Sequence, residues 1–436
     1  MTDRPGAPQR TGWAATRAFA VAALATLLVA ITACGGDDNA GSSDSSGSLS
    51  SEQRAELLGP EAPATGEPVR IGMISDGATQ AYDATDELRA AQATAEFWSE
   101  RRGGIGGRPI ELVTCETGGD PAGATDCGNQ MVEENVVAVV FSNSGVGDSA
   151  WEPLHQTGIP TMFFQTTGDA LTRDPQSTFT LVNPLPAVFG LPVSVAQSED
   201  ADKIAFVVID VPVAVAAFES NGQEILDNAG LDHDLIRVPP GTADMTPQMQ
   251  EVVDSNAEVV QVMGNDAFCV AAYQGLRAAG YEGEITSVSQ CITDATREAL
   301  PGGELEGISI ISSYAIGASD DPSYQLYDAV VEAYGQDIED VANIYPMGAY
   351  TVMSALATSL EGISGDITPQ SVTQTIKTMP EQELPGGGGA TFQCGGSAVP
   401  SLPAVCTNQW LRTTLDAEGQ PSGYEVEDSS DILEGL

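Results

Sequence analysis

Short runs of continuous hydrophobic residues alternate with amphipathic stretches along most of the chain. In the clearest unit, residues 136–141 and 159–164 are two apolar runs, and residues 148–156 between them read as a short helix that ends at Gly158. Runs that are apolar on both faces are typical of strands in a parallel sheet. Because the crossover between parallel strands is right-handed, the loops after both strands should meet at one edge of the sheet, where open α/β sheets bind ligands.

The same alternation predicts two successive α/β series of similar size, each with its own parallel sheet. The predicted strands are residues 69–75, 110–114, 136–141, 159–164 and 179–183 in the first series, and 203–209, 234–238, 258–263, 284–289 and 308–312 in the second. The predicted helices are residues 83–102, 120–134, 148–156, 213–229, 246–255, 267–279, 322–334, 345–360 and 368–379. With 436 residues the chain is too long for one core, so the pattern predicts an α/β protein of two lobes.

The charge balance excludes two classes of partner. The chain has 62 acidic and 16 basic residues, a formal net charge of -46. Nucleic acids and anionic membrane surfaces bind clusters of Lys and Arg, so neither is an expected partner. The favoured interpretation is an acidic, solvated surface that keeps the protein soluble, as suits salty surroundings. Binding of cations is the alternative.

The N-terminus carries the signature of export. Three arginines precede an apolar stretch at residues 18–30, which is too short for a comfortable membrane span and suits a signal-peptide core. The following residues, ITAC, resemble the lipobox of bacterial lipoproteins, which implies that Cys34 carries the lipid. We therefore predict a signal peptide over residues 1–33. Residues 34–66 are rich in Gly, Ser, Asp and Pro and are predicted to be a flexible linker.

Export makes disulfides the expected state of the six other cysteines. Local geometry favours three pairs of neighbours in sequence, although other connectivities stay open; these pairs are Cys115 with Cys127, Cys269 with Cys291, and Cys394 with Cys406. Metal ligation is less favoured because no two cysteines form a CxxC motif and the two histidines lie far away in sequence. We predict no metal site and no cofactor.

The chain lacks the usual sequence signals of an enzyme. It contains no GxSxG or HExxH motif, and both histidines, His155 and His233, have structural explanations. The glycine-rich residues 103–107 follow a predicted helix and lead into a strand, which is the reverse of a phosphate-binding loop. We therefore predict no catalytic residue, with a carboxylate-dependent hydrolase as the remaining enzymatic alternative.

Several segments, in this order, resemble one known family. They are PVRIGMISDG, GGIGGRPIELV, AVVFSNSG, GIPTMFF, GNDAF and AYTVMSALATSLE. Together they resemble the leucine/amide-type periplasmic substrate-binding proteins, which have the type I periplasmic binding protein fold. The resemblance implies two Rossmann-like lobes joined by a three-strand hinge, with crossings near Asn183, Ser313 and Pro380. The implied lobes are residues 67–184 with 314–380, and residues 185–313 with 381–436.

The resemblance also implies which residues bind a ligand. In that family the loops after the third and fourth strands hold a ligand carboxylate, which a helix N-terminus favours electrostatically. The corresponding residues here are Ser142, Asn143, Ser144, Gly145, Gln165, Thr166 and Thr167. Tyr82 matches an aromatic wall, and Asp266 falls where an acidic group often meets a ligand ammonium.

These assignments have structural alternatives. The serines and Asp266 could cap the helices that follow them, and Tyr82 could pack beneath its own helix. The sequence also departs from the family at residues 211–214, where VPVA replaces an aromatic residue followed by glycine. Leucine-type specificity is therefore not transferred to this chain.

The sequence predicts an extracytoplasmic solute-binding lipoprotein, anchored to the outer face of the cell membrane through Cys34. It should capture an amino acid, an amide or a related small carboxylate between its lobes and deliver it to the permease of an ABC transporter. We expect a monomer that contacts the membrane only through its lipid. The alternative outside transport is a ligand-sensing component of a signalling receptor.

Overall fold

A computed structural model of the protein describes residues 49–79, 82–166, 168–211, 214–215 and 218–429. Four of the sequence predictions therefore concern residues outside this part of the chain, wholly or in part: the signal peptide, the lipidated Cys34, the linker at residues 35–48 and the binding role of Thr167.

The first sheet has six parallel strands in the order β13-β5-β4-β3-β1-β2. Its strands are β1 (Val69–Ser75), β2 (Ile110–Glu116), β3 (Ala138–Phe141), β4 (Thr161–Gln165), β5 (Thr178–Val182) and β13 (Val405–Thr407). Every residue of β3 and β5 is buried, as the continuous apolar runs predicted.

The second sheet has seven strands in the order β15-β14-β10-β9-β8-β6-β7. Its parallel strands are β6 (Lys203–Ile209), β7 (Asp232–Val238), β8 (Val259–Met263), β9 (Glu284–Val288) and β10 (Ser309–Ser312). Two antiparallel strands, β14 (Gln409–Thr414) and β15 (Glu425–Asp428), extend the sheet beyond β10. A separate two-stranded ladder pairs β11 (Gln382–Glu383) with β12 (Thr391–Phe392).

Helices connect the strands and pack against the sheets. Those of the first half are α1 (Ser51–Leu58), α2 (Asp86–Arg101), α3 (Pro121–Glu133), α4 (Gly147–Thr157), α5 (Asp169–Thr172) and α6 (Pro184–Ser198). Those of the second half are α7 (Gln223–Ala229), α8 (Thr246–Asp254), α9 (Asp266–Ala279), α10 (Asp294–Ala299), α11 (Pro322–Tyr334), α12 (Ile344–Ser359) and α13 (Pro369–Lys377), with a π-helical turn over Phe218–Gly222 and a 3-10 turn over Ser289–Cys291.

Each sheet has a hydrophobic core on both of its faces. In the first sheet, Val140 packs in the core beneath α2 and α12, whereas the adjacent Val139 packs with α3 and α4 on the opposite face. In the second sheet, Val207 and Val208 face the two different cores in the same way. This alternation requires strands that are apolar throughout. The predicted fold class, an α/β protein with two lobes that each contain a largely parallel sheet, is confirmed.

The C-terminal part of the chain corrects the predicted route between the lobes. Residues 381–436 were assigned to the second lobe, but β13 pairs with β5 in the first sheet, and Cys394 and Cys406 belong to the first lobe's core. The chain passes to the second sheet only at Asn408, between β13 and β14, rather than near Pro380. The reason is that the tail buries apolar side chains such as Phe392 against the first lobe before it crosses.

The segment before β1 also differs from the flexible linker expected there. Residues 51–58 form helix α1, whose Ser50 and Gln53 make a reciprocal capping box. Leu58 is buried in the first lobe's core, and an ion pair joins Arg54 to Glu332 of α11. The apolar side chains at the end of α1 thus provide the burial that a polar linker lacks.

The three disulfides confirm the sequential pairing. Cys115–Cys127 joins β2 to α3, with the Cα atoms 5.6 Å apart. Cys269–Cys291 joins α9 to the 3-10 turn after β9, at 5.4 Å, and Cys394–Cys406 secures the tail beside β13, at 4.2 Å. Within the described residues, no helix combines the length and the apolar character that a membrane span needs.

Candidate functional site

The strand order identifies the edge of the first sheet where a ligand site is expected. β1 and β3 are neighbours, while β2 lies beyond β1 and β4 lies beyond β3, so the direction of winding reverses between β1 and β3. Open α/β sheets bind ligands at the carboxyl ends of the strands at such a switch point. The loop after β1 begins with Asp76 and Gly77, and the loop after β3 contains residues 142–145. Gly77 has φ 64°, a conformation that favours glycine.

Asp76 accepts four hydrogen bonds, two of which join it to the loop after β3. Its Oδ1 accepts from Thr117 Oγ1 at 2.6 Å and from Ser144 Oγ at 2.9 Å. Its Oδ2 accepts from Tyr82 Oη at 2.6 Å and from the backbone N–H of Gly145 at 2.8 Å. We call these five residues the Asp76 network. Since Asp76 is fully buried, the four donors provide the compensation that a buried carboxylate needs.

A second buried carboxyl group, Glu87 of α2, holds the beginning of the same loop. Its two oxygens accept from the backbone N–H of Asn143 at 3.1 Å and from Ser75 Oγ at 2.6 Å. Burial is the main reason that the pKa of Glu87 is raised to about 8; nearby Asp76 raises it further, while the hydrogen bonds lower it. Gln165 Nε2, at the end of β4, donates to Asn143 Oδ1 at 2.7 Å.

An aromatic pair connects the Asp76 network to a cavity. The rings of Tyr82 and Tyr345 stack with their centroids 5.6 Å apart and their planes 15° from parallel. Burial, followed by the hydrogen bond to Asp76, raises the pKa of the Tyr82 hydroxyl, which therefore stays a donor at neutral pH. Tyr345, in the first turn of α12, also lines the cavity.

The cavity has a volume of about 650 Å³, a size suited to a small ligand. Its walls come from the carboxyl-end side of the second sheet and from the segment before α12. Three aspartates line it, namely Asp266, Asp294 and Asp340, together with one cation, Arg297. Arg297 is engaged within the protein, because Nη1 pairs with Asp294 Oδ1 at 2.9 Å and Nε donates to the carbonyl of Gly419 at 3.0 Å.

The structure gathers most of the predicted binding residues at one edge. Tyr82 and residues 142–145 take part in the two networks around Asp76 and Glu87, and Gln165 joins them through Asn143. Thr166 follows directly, and its Oγ1 accepts from the N–H of Gly168 at 3.1 Å. Asp266 lies apart from this group, on the cavity wall. The binding role of all these residues stays a prediction.

The structure shows whether Ser144 and Asp266 cap the helices that follow them. Ser144 Oγ accepts from the N–H of Val146 at 3.2 Å at the start of α4, so it supports the helix entry while it donates to Asp76. Asp266 is not the cap of α9, because Asn265 holds that position and accepts from the N–H of Phe268 at 3.0 Å. The carboxylate of Asp266 accepts only from the adjacent N–H of Ala267 among the hydrogen bonds of the described residues.

Sequence reasoning missed Asp76, Thr117, Glu87 and Tyr345. Asp76 could have been found, since an acidic residue directly after the first predicted strand must lie at the ligand-binding edge. Glu87 carried a weaker signal, a carboxylate on the apolar face of a helix. Nothing in the sequence indicated that Thr117 and Tyr345 would come close to residues 142–145. Among the described residues, no group of His, Cys, Asp and Glu has the arrangement of a metal site.

Comparison with known proteins identifies one matching family model. This model, described as periplasmic binding protein, matches residues 68–406. The comparison with curated proteins finds no match to the chain. Among solved structures, a putative branched-chain amino acid ABC transporter from Rhodospirillum rubrum has a TM-score of 0.67 at 15% identity, over 81% of this chain and 99% of that one.

Two further structures are similar in fold and carry ligands. The branched-chain amino acid transporter substrate-binding protein from Streptococcus pneumoniae, in complex with isoleucine, has a TM-score of 0.61 at 18% identity, over 83% of this chain and 100% of that one. A solute-binding protein from R. palustris, in complex with 4-hydroxybenzoate, has a TM-score of 0.63 at 18% identity, over 84% of this chain and 98% of that one. At these identities the likeness concerns the fold.

Proposed function

The chain belongs to the periplasmic binding protein family, and from this premise we propose that it is a solute-binding lipoprotein that captures a small polar ligand between its lobes and delivers it to an ABC transporter. The ligand classes that the sequence favours are amino acids, amides and related small carboxylates. The neighbours in complex with isoleucine and 4-hydroxybenzoate are consistent with a small organic ligand for this fold.

The observation that carries the proposal is the cavity beside Tyr345. It is lined by residues of the second lobe and by a tyrosine that stacks on Tyr82 of the first lobe. A ligand in this position would contact both lobes, so its binding free energy would favour the closed arrangement of a hinged protein.

Binding is tested with the full-length protein in detergent, by thermal shift and then by calorimetry. The panel contains amino acids, primary amides, amines, urea and small carboxylates. We expect at least one compound to raise the unfolding midpoint in a saturable manner, as any ligand specific for the native state must. A Tyr345→Ala variant should weaken that binding, whereas Tyr324→Ala, in α11, serves as the matched control. A panel without any binder would contradict the proposal.

Delivery and anchoring form separate parts of the proposal. We propose that Cys34 bears the lipid and holds the protein at the outer face of the cell membrane. The two lobes are formed by residues 67–407 and the strands that follow. Metabolic labelling with a fatty acid should mark the wild type, and Cys34→Ser should abolish the label and release the protein from the membrane fraction. Labelling that persists in Cys34→Ser would contradict the anchor.

A further inference from the structure

Two of the groups that were predicted to hold a ligand carboxylate already bind a carboxylate of the protein itself. Ser144 Oγ and the N–H of Gly145 both donate to Asp76, at 2.9 and 2.8 Å. Tyr82, predicted as the aromatic wall, also donates to Asp76, at 2.6 Å. The loop after β3 therefore has the expected affinity for a carboxylate, but Asp76 is the group that it binds.

The hydrogen bonds to Asp76 leave little capacity for a second anion. Ser144 Oγ and the N–H of Gly145 have one hydrogen each, and both hydrogens are donated to Asp76. Asp76 is fully buried and accepts four hydrogen bonds within the described residues. A ligand carboxylate at the same place would have to displace these donors from Asp76, and it would face a like charge at close range.

The adjacent cavity also disfavours an anionic ligand. Asp266, Asp294 and Asp340 line it, and its one lining cation among the described residues, Arg297, is paired with Asp294 and with the carbonyl of Gly419. Tyr345 also lines the cavity, and aromatic rings attract cations through their quadrupole. The cavity thus offers acceptors and an aromatic residue to a ligand with N–H donors.

We propose that Asp76 is a specificity-determining residue, because it occupies two of the predicted carboxylate-binding donors of the first lobe, Ser144 Oγ and the N–H of Gly145, and thereby restricts the ligand to a small amine or primary amide. The inference rests on the proposed binding function and narrows its ligand class. Under this proposal, the ligand places hydrogen-bond donors, and no free carboxylate, at the edge of the first sheet beside Asp76.

The ligand preference is tested with compounds that share one carbon skeleton. The probes are benzylamine, benzamide and benzoate, and 3-methylbutylamine, 3-methylbutanamide and 3-methylbutanoate, each titrated into the full-length protein by calorimetry. In at least one series, the amine or the amide should bind about tenfold or more tightly than the carboxylate, a difference of the size that one unfavourable charge contact produces. Wild-type protein that prefers the carboxylates would overturn the proposal.

The role of Asp76 is tested by removing its carboxylate. Asp76→Ala frees the hydroxyl of Ser144 and the N–H of Gly145, so we expect this variant to gain saturable binding of acetate, seen as a rise in its unfolding midpoint that the wild type does not show. An Asp76→Ala protein that does not respond to acetate would overturn the proposal. This readout needs no natural ligand, so it separates failure of the Asp76 inference from failure of the binding function.

A second variant covers the case in which Asp76→Ala does not fold. Asp76→Asn keeps the shape of the side chain but removes its charge, so the discrimination against carboxylates should fall by about tenfold or more. Unchanged discrimination in Asp76→Asn would overturn the proposal.

Asp174→Asn is the matched control for Asp76→Asn. Asp174 is also buried and accepts hydrogen bonds from the N–H groups of Gln176 and Ser177 and from Thr178 Oγ1, but it lies in the turn before β5. Its replacement should lower stability without changing the ligand preference. An equal change of preference in both variants would show a general effect of destabilisation and would overturn the assignment to Asp76.

Discussion

Each lobe has an aspartate directly after its first strand, but the two have different surroundings. Asp76 follows β1, is fully buried and binds four donors from three other segments. Asp210 follows β6, is partly exposed and pairs with Arg237 of β7, with Oδ1 and Nη2 2.6 Å apart. The two residues have the same place in the topology, since β1 and β6 are the strands from which winding reverses in their sheets.

Strand register explains part of the difference. Ser75 pairs with Glu116, so Asp76 comes opposite Thr117, whose hydroxyl donates to it. Ile209 pairs with Val238, so the position opposite Asp210 is Pro239, which has no side-chain donor and no N–H. Asp210 therefore turns to the partly exposed guanidinium of Arg237. The comparison shows that a carboxylate at a switch point organises a site only where the neighbouring loops provide donors.

The largest expected effect is the loss of the buried carboxylate. Asp76→Ala leaves the buried hydroxyl of Thr117, the partly buried hydroxyl of Ser144 and the N–H of Gly145 without their acceptor. We expect the free energy of unfolding to fall by about 3 to 5 kcal/mol, because several donors lose their acceptor at once. Chemical denaturation of the full chain measures it. A loss below about 1 kcal/mol would mean that Asp76 and Asp210 are energetically alike.

The second expected effect is a pH dependence from Glu87, which lies beside Asp76. Its folded pKa of about 8 is above the ordinary value of 4.5, so between these pH values the native state binds more protons than the unfolded state. The stabilisation is complete below the ordinary value and is lost as the pH rises through 8. From pH 5 to 9, wild type should lose about 2 to 4 kcal/mol more than Glu87→Gln.

The control for this pH dependence is Glu282→Gln, which replaces an exposed carboxylate. Its unfolding free energy should follow that of the wild type across the same pH range. If Glu87→Gln retained the wild-type pH profile, Glu87 would not be the group that titrates over this pH range.

The smallest expected effect is at Asp210. Its ion pair with Arg237 is formed by side chains that retain 36% and 48% of their exposure, so water and salt screen the attraction. Asp210→Ala should leave the unfolding midpoint within the error of the measurement, at both low and high salt. A decrease comparable to that of Asp76→Ala would remove the distinction between the two lobes.

Much of the fold could be predicted because its signals are local. The apolar run at β6 and the helix α11 coincide with the predicted residues 203–209 and 322–334. Helix α1 was missed because its apolar residues are few and its burial depends on α11, which lies far away in sequence. The third crossing was misplaced for a related reason, since the pairing of β13 with β5 joins residues more than 220 positions apart.

The sequence located the loop of residues 142–145 but not the group that occupies it. A buried carboxylate that follows one strand can be recognised from its position, whereas its partners come from segments that begin at Tyr82, Thr117 and Ser144. Their meeting depends on the order and register of β1, β2 and β3, which are properties of the sheet.

By itself, the sequence determined most of the elements and the fold class, because the period of hydrophobic residues is fixed locally by strand and helix geometry. It also predicted the three disulfides, since each closes a short loop. Only the tertiary structure decided which polar groups neutralise one another. Hydrogen bonding acts over about 3 Å, so the partner of Ser144 and Gly145 was fixed only when the packed sheet brought Asp76 between them.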